Sequence, residues 1–214
     1  MKARIVLCVL SILGIALVST PSIAQQMTFT ALRNSSSTFK TDAPLETIVG
    51  TTAGGAVSGT LTGDPSRPQA ATGTIRVDLS TIKTGIERRD ADMRSKDYLD
   101  TENEANRFAV FVLKGVEIGG PLDPGKETPA KLKGTLTIKG KPADITADAR
   151  ITYIKIAPDQ LETQKRWGFT SDNIRVRAKF NTSFTNHGMQ VPQLLIFKVS
   201  NDIQLETDLT LVRQ

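Results

Sequence analysis

The chain has 214 residues, one cysteine, one histidine and a formal net charge of +5. Removing Lys2 and Arg4 from its 27 basic residues leaves 25 against 22 acidic ones, a net charge of +3. So small a charge, with no lysine-rich run, argues against a nucleic-acid partner. Because the single cysteine is Cys8, the rest of the chain has no disulfide, no thiolate metal site and no cysteine nucleophile.

The first 24 residues have the pattern of a secretory signal peptide. Two positive charges precede an apolar run over residues 5–18, and small residues up to Ala24 supply a cleavage site. The alternative is an uncleaved membrane anchor, but the apolar run is short against the roughly 20 residues of a membrane-spanning helix. The sequence therefore predicts a signal peptide over residues 1–24 and a periplasmic or secreted domain over residues 25–214, with no stable membrane anchor.

Beyond residue 25, apolar residues recur with the period of two that is typical of β-strands. Alternation is clearest over residues 145–153, 174–180 and 203–211. Strands with one apolar and one polar face form antiparallel sheets, and many such strands predict a closed barrel or a sandwich. Turn residues divide the pattern into strands over residues 27–33, 37–42, 45–52, 56–62, 71–79, 107–118, 130–138, 143–155, 169–180 and 195–212, with one charged helix over residues 86–98.

The predicted helix begins near Thr84 and Glu87, which have the spacing of a capping box. The strand that follows is apolar on both faces over residues 107–113, so its outer face requires a cover. The helix is the nearest candidate, and we expect Met93 to pack close to Phe111 on that outer face.

Ionisable groups are densest on the same helix. Asp90 with Asp97, or Asp92 with Asp100, could act as the paired carboxylates of a hydrolase. Basic residues interleave with them at i,i+4 spacing, however, which is typical of a solvated, salt-bridged helix. The single histidine, His187, is expected to be an exposed or capping loop residue. Without a partner for it, and without a Gly-x-Ser-x-Gly motif, the sequence predicts no catalytic residue, no metal site and no cofactor.

The segment VDLSTIKTGIERRDADMRSKDYLD, residues 77–100, resembles the YceI-like family. Members carry a similar strand, a Thr-Gly turn, an Arg-Asp-x-x-Leu/Met-Arg-Ser helix and an aromatic-x-Asp exit, which here is Tyr98-Leu99-Asp100. Residues 134–140 and 199–211 fit as well. The resemblance implies a lipocalin-like antiparallel β-barrel of about eight strands with one short charged helix inserted between strands. It also implies non-catalytic binding, sequestration or transport of a long-chain, polyisoprenoid-like lipid, and it is compatible with a homodimer.

A lipid-binding barrel would be lined by the apolar faces of its strands, although strand phase alone does not separate a cavity from a packed core. Two other functions stay open: a ligand-free interaction or envelope-stress module, and a hydrolase that uses the helix carboxylates. The candidate ligand-binding residues are Ile75, Val77, Phe108, Val110, Leu136, Ile138, Ile151, Val176 and Phe180, with Trp167 and Phe169 near a mouth.

Overall fold

The computed structural model describes residues 26–194 and 197–214, so the predicted signal peptide lies outside the described residues. The described chain forms twelve strands and two α-helices. In chain order they are β1 (Met27–Ala31), β2 (Ser36–Ala43), β3 (Glu46–Thr51), β4 (Val57–Gly63), β5 (Thr72–Asp78), α1 (Glu87–Arg94), β6 (Phe108–Ile118), β7 (Glu127–Ile138), β8 (Lys141–Lys155), α2 (Pro158–Lys165), β9 (Asp172–Ser183), β10 (Gln193–Leu194), β11 (Phe197–Lys198) and β12 (Asp202–Arg213).

Eight of the strands close into an antiparallel barrel. Their order is β1, β4, β5, β6, β7, β8, β9 and β12, and β12 returns to pair with β1. Closure removes the unpaired edges that an open sheet would leave. The predicted all-β antiparallel barrel of eight strands is therefore confirmed.

The wall is broken once, between β1 and β2. These strands share one edge of β12: β2 pairs with residues 204–208 and β1 with residues 211–213. At the break, Ser35 Oγ accepts a hydrogen bond from the backbone N–H of Thr210 at 3.1 Å, and the N–H of Leu32 donates to the Thr210 carbonyl at 2.8 Å. These bonds satisfy a buried stretch of backbone where neither strand continues the ladder.

Alternation along the long strands separates an apolar interior from a charged exterior. Outward side chains form cross-strand ion pairs such as Lys131–Asp148 at 2.7 Å and Arg175–Asp208 at 2.6 Å. Exposed pairs of this kind contribute about 0–1 kcal/mol each. The inward face, which includes the fully buried Leu211, therefore supplies most of the stability.

A β-bulge corrects the phase of β6. The pairing of β6 with β7 shifts between Leu113 and Gly115. The extra residue allows Leu113 and Val116, three positions apart, to lie in the same core cluster. Without it, the second half of the strand would turn its apolar residues to solvent.

The barrel has two ends, which we name after the nearest helix. At the α1 end, β5 ends and β6 begins, and a buried apolar cluster there consists of Leu79, Ile82, Ala109, Leu136, Ile138 and Met189. At the α2 end, Pro68 and Leu122 are buried, and the N–H of Leu122 donates to the carbonyl of Pro65 at 2.8 Å.

Helix α1 is shorter than predicted and is held differently. Its N-terminal flanking residue, Ile86, makes no side-chain capping bond, and Thr84 bonds to Asp90, so the predicted Thr84–Glu87 capping box is wrong. Met93 and Phe111 pack against the same cluster, but Phe111 faces the barrel interior. Helix α1 therefore covers an end of the barrel, and not the outer face of strand 107–113.

Two further elements differ from the sequence prediction. Helix α2 lies between β8 and β9, where no helix was predicted, with a proline in its first turn, Asp159 near its start and Lys165 at its end. The strand predicted over residues 195–212 is divided into the short β11 and the long β12. Among the described residues, no helix is long and apolar enough to cross a membrane.

Candidate functional site

The barrel encloses an apolar cavity of about 160 Å³. Engineered cavities of about 150 Å³ lined by leucine, isoleucine and phenylalanine stay dry and bind small apolar molecules. The cavity here has the same kind of wall, to which every barrel strand contributes, in chain order Phe29, Leu61, Ile75, Phe111, Leu136, Ala147, Val176 and Leu209.

The cavity runs along the barrel from one end to the other. Leu79 and Ile82 line it at the α1 end, and Pro65 and Leu122 line it at the α2 end. A long, narrow space of this kind suits one hydrocarbon chain better than a compact ligand.

Small residues create this space. Ala147 and Ala178 face inward, where larger side chains would fill the barrel. Gly134 on β7 allows the ring of Phe111 to lie flat against the wall, because a Cβ at this position would meet both the ring and the carbonyl of Val112. The hollow interior therefore follows from particular small residues in the sequence.

The structure places seven of the eleven predicted lining residues on the cavity wall, where strand alternation directs them inward. These are Ile75, Val77, Leu136, Ile138, Ile151, Val176 and Phe180.

Phe108 and Val110 do not line the cavity, so their predicted role is corrected. Both faces of this stretch are apolar, and periodicity alone could not decide which face points inward. The outward ring of Phe108 lies under the guanidinium groups of Arg76, at 4.4 Å, and Arg107, at 5.4 Å. These cation–π contacts cover the Phe108 ring on the outer face of β6, whereas the sequence predicts this ring on the inner face. The residues of β6 that line the cavity instead are Ala109, Phe111, Leu113 and Val116.

Trp167 and Phe169 also lie away from the cavity wall. Trp167 follows α2 and is 66% exposed, with the Arg166 guanidinium 5.4 Å from its ring. The prediction of a strand from residue 169, with Trp167 beside it at a mouth, misses helix α2, which ends at Lys165 and moves the start of β9 to Asp172.

Several lining residues were missed, although alternation along their strands could have found them. The chain positions that belong to the same apolar faces include Ile145, Ala147, Ile174, Ala178, Leu205 and Leu209. Phe39 had no comparable signal, because the strand it occupies is short and mostly polar.

Electrostatically, the cavity is nearly featureless. Among the described residues that line it, Asp64 alone is ionisable, and none is basic. Hydrogen bonds from the hydroxyl and the backbone N–H of Ser66, at 2.7 and 2.8 Å, lower the pKa of the Asp64 carboxyl, and Arg67 lowers it further. The carboxylate is thereby kept charged at the α2 end by its own loop.

The model of the YceI-like domain matches residues 29–211. The chain belongs to the YceI-like family. The match spans all eight barrel strands and both helices almost completely, and the lipocalin-like barrel predicted from the resemblance is thus confirmed. None of the curated proteins compared with the chain matches it.

Solved structures of the same fold come from several bacteria. BcnA from Burkholderia cenocepacia is 15% identical, with a TM-score of 0.59 over 82% of this chain and 95% of its own. A polyisoprenoid-binding domain from Saccharophagus degradans, implicated in plant cell wall breakdown, is 14% identical, with a TM-score of 0.63 over 89% and 100%. The Campylobacter jejuni YceI protein is 18% identical, with a TM-score of 0.58 over 78% and 85%. At these identities the likeness concerns the fold alone.

The charged helix of this YceI-like domain has a structural task. Asp90 is buried and accepts hydrogen bonds from the backbone N–H of Thr84 at 2.7 Å and from its hydroxyl at 2.6 Å. Burial opposes ionisation of Asp90, but these bonds and the nearby Arg94 and Arg89 prevail, and its pKa is lowered. Arg89 also bonds Glu46 at 3.0 Å, which ties α1 to β3.

The single histidine is not a surface residue. His187 is fully buried at the α1 end, so the expectation of an exposed or capping residue is wrong. Its Nδ1 lies 3.1 Å from the carbonyl oxygen of Lys141 and its Nε2 lies 2.8 Å from the hydroxyl of Thr182. A carbonyl only accepts hydrogen bonds, so Nδ1 carries the proton and Nε2 accepts from Thr182. Burial lowers the pKa of His187, which favours this neutral form.

Proposed function

We propose that this YceI-like domain binds a long-chain apolar lipid of the polyisoprenoid type in the cavity of its barrel, without catalysis. The observation that carries the proposal is the apolar cavity of about 160 Å³ that runs between the two ends of the barrel. A ligand-free interaction module would be expected to fill this interior with side chains.

Burial of a hydrocarbon chain is the main source of free energy for such binding. Each methylene group removed from water contributes about 0.8 kcal/mol, so roughly ten of them contribute about 8 kcal/mol. Association entropy and ordering of the chain subtract from this value. Burial of the chain thus offsets a large part of the association cost without any charged contact.

The polyisoprenoid-binding domain of Saccharophagus degradans supports the proposed ligand, because it shares this fold. The helix carboxylates offer little support for a hydrolase, since Asp90 is engaged by Thr84. The signal-peptide pattern of residues 1–24 supports our proposal that the protein acts in the periplasm or outside the cell, where it would sequester or carry the lipid.

Native mass spectrometry of the purified protein, followed by lipid extraction, tests this function. We expect a species heavier than the chain that loses its extra mass on extraction, and the extracted lipid should rebind. The same spectrum reports whether the protein is a homodimer. A clean ligand-free mass together with no lipid uptake would overturn the proposal.

A matched pair of variants links binding to the cavity. Ala178→Phe adds a ring on the inward face of β9, whereas Val112→Phe adds one on the exposed face of β6, where Val112 is 43% exposed. We expect Ala178→Phe to abolish lipid uptake and Val112→Phe to retain it, with circular dichroism confirming that both variants fold. Equal uptake by the two variants would place the ligand outside the barrel.

A further inference from the structure

A cluster of three hydroxyl groups interrupts the mostly apolar wall of the cavity. Ser37 and Thr207 lie directly opposite each other on β2 and β12, and their hydroxyl oxygens are 3.1 Å apart. Thr52 lies beside them, and its hydroxyl oxygen accepts a hydrogen bond from the backbone N–H of Ser37 at 3.1 Å. All three residues line the cavity. We call Ser37, Thr52 and Thr207 the hydroxyl triad.

The hydroxyl triad has hydrogen-bonding capacity to spare. Ser37 Oγ has two partners, the Glu206 carbonyl at 3.3 Å and the Thr207 hydroxyl. Thr52 accepts a bond, but its own hydroxyl proton makes no hydrogen bond to the described residues. A ligand oxygen beside Thr52 could therefore accept a hydrogen bond inside a wall whose other contacts are mostly apolar.

The surroundings of the triad do not suit a charged group. Among the described lining residues there is no lysine, arginine or histidine, and Asp64, the one ionisable group, is an acid. An anion without a partner loses its hydration on entering such a site, at an effective cost of several kcal/mol. Phosphate or carboxylate head groups would therefore be strongly disfavoured within the cavity.

We propose that the domain selects lipids with an uncharged, oxygen-bearing head group, such as an alcohol, a ketone or an ester, and that this oxygen accepts a hydrogen bond at the hydroxyl triad. The inference rests on the proposed function and specifies its ligand class. It distinguishes a neutral isoprenoid lipid from the corresponding phosphate, whose hydrocarbon chain is identical.

Three probes with the same fifteen-carbon chain test the selection: farnesol, farnesyl phosphate and the hydrocarbon farnesene. Each competes at pH 8 with N-phenyl-1-naphthylamine, an uncharged fluorophore, for delipidated protein. We expect farnesol to bind at least about a hundredfold more tightly than farnesyl phosphate, since several kcal/mol separate the two head groups. It should bind roughly three- to tenfold more tightly than farnesene, the value of one hydrogen bond.

Thr52→Val then isolates the triad. This variant should lower the affinity for farnesol to that for farnesene and leave farnesene unchanged. Thr137→Val, which removes an outward hydroxyl from β7, should leave all three affinities unchanged. If Thr52→Val does not fold, Thr52→Ala makes the same prediction, and Thr52→Ser should retain the preference for farnesol.

The outcomes separate the two proposals. Equal affinities for farnesol and farnesyl phosphate would overturn the selection, because the head group would then remain in solvent, while lipid binding itself would stand. A preference for farnesol that survives removal of the Thr52 hydroxyl would overturn the role of the triad. Failure of the fluorophore and of all three probes to bind would overturn the proposed function itself.

Discussion

The two ends of this barrel are closed by different chemistry. At the α1 end, apolar side chains and a neutral histidine pack beneath the charged helix α1, whereas a buried network of charged and hydroxyl groups centred on Asp172 lies at the α2 end. Both ends adjoin the same apolar cavity, so each contributes to shielding it from water. Their comparison shows which interactions make a hollow barrel stable and how the two closures should respond to mutation and pH.

At the α1 end, the long connections between strands fold inward. Met189, which is 4% exposed, packs in the same buried cluster as Leu79 and Ile82. His187 holds the loop in place through Lys141 and Thr182. The loop depends on apolar burial and on two hydrogen bonds to an uncharged ring, while the Asp90–Thr84 and Arg89–Glu46 bonds hold α1 at the same end.

At the α2 end, Asp172 is the centre of the network. It accepts hydrogen bonds from the hydroxyl of Tyr153 at 2.5 Å and from Arg213 at 3.2 Å, and Lys155 lies 4.0 Å away. Burial opposes ionisation of Asp172, but the bonds from Tyr153, Ser171 and Arg213 prevail and lower its pKa. Burial and the bond to Asp172 raise the pKa of Tyr153. The ends of β8, β9 and β12 are thereby fastened together.

Truncation of the apolar closure should have the largest effect. Met189→Ala removes a buried side chain whose neighbours cannot fully collapse, and we expect the free energy of unfolding to fall by about 3 kcal/mol. Urea denaturation measures it. Leu45→Ala is the control, because Leu45 is 73% exposed at a hairpin of the same end, and its cost should stay below about 0.5 kcal/mol. Equal losses would show that the α1 end is not closed by apolar packing.

Removal of the central carboxylate should cost somewhat less. Asp172→Ala leaves the Tyr153 hydroxyl buried without its acceptor, and we expect a loss of about 2 kcal/mol in the same measurement. Arg213 is partly exposed and can be rehydrated, which limits the cost. Asp208→Ala is the matched control, since it breaks the exposed pair with Arg175 and should cost at most about 1 kcal/mol. Indistinguishable losses would mean that the network contributes no more than a surface ion pair.

The sequence predicted the strands because their physical signal is strong, and the family resemblance favoured a barrel over a sandwich. Period-two alternation in β8, β9 and β12 determines both the strands and their inward faces, so residues such as Ile151, Val176 and Phe180 were placed correctly on the wall. A strand that is apolar on both faces carries no such information. Phe108 and Val110 were misassigned for this reason, since the covering contact of Arg76 is formed only in the folded sheet.

Features that depend on distant partners could not be predicted. Asp90 accepts a hydrogen bond from the hydroxyl of Thr84, six residues earlier, so the start of α1 does not follow the predicted Thr84–Glu87 capping motif. His187 is buried by contacts with Lys141, 46 residues earlier in the chain. The hydroxyl triad likewise assembles from three separate segments. Local patterns reveal strands and their faces, whereas the polar details of the site arise from tertiary contacts.

The smallest expected effect is on the pH dependence of the free energy of unfolding, to which the two ends should contribute differently. His187 has a lowered pKa when folded, so between this value and the unfolded value of about 6.5 the unfolded chain binds a proton that the folded chain does not. Stability is therefore fully present above pH 6.5 and falls as the pH drops, by up to about 1.4 kcal/mol per pH unit. Urea denaturation at pH 7.5, 6.5 and 5.5 measures this slope.

The carboxylates of the α2 end do not contribute in this range. The pKa of Asp172 lies below its ordinary value of 3.8, so its contribution is present above that pH and is lost only in stronger acid. His187→Gln removes the titrating group, and this variant should lose the slope between pH 7.5 and 5.5 whatever its absolute stability. Asp172→Ala should retain the slope. If His187→Gln keeps the wild-type slope, the acid sensitivity originates elsewhere, and the neutral histidine is not the group that holds the α1 end closed.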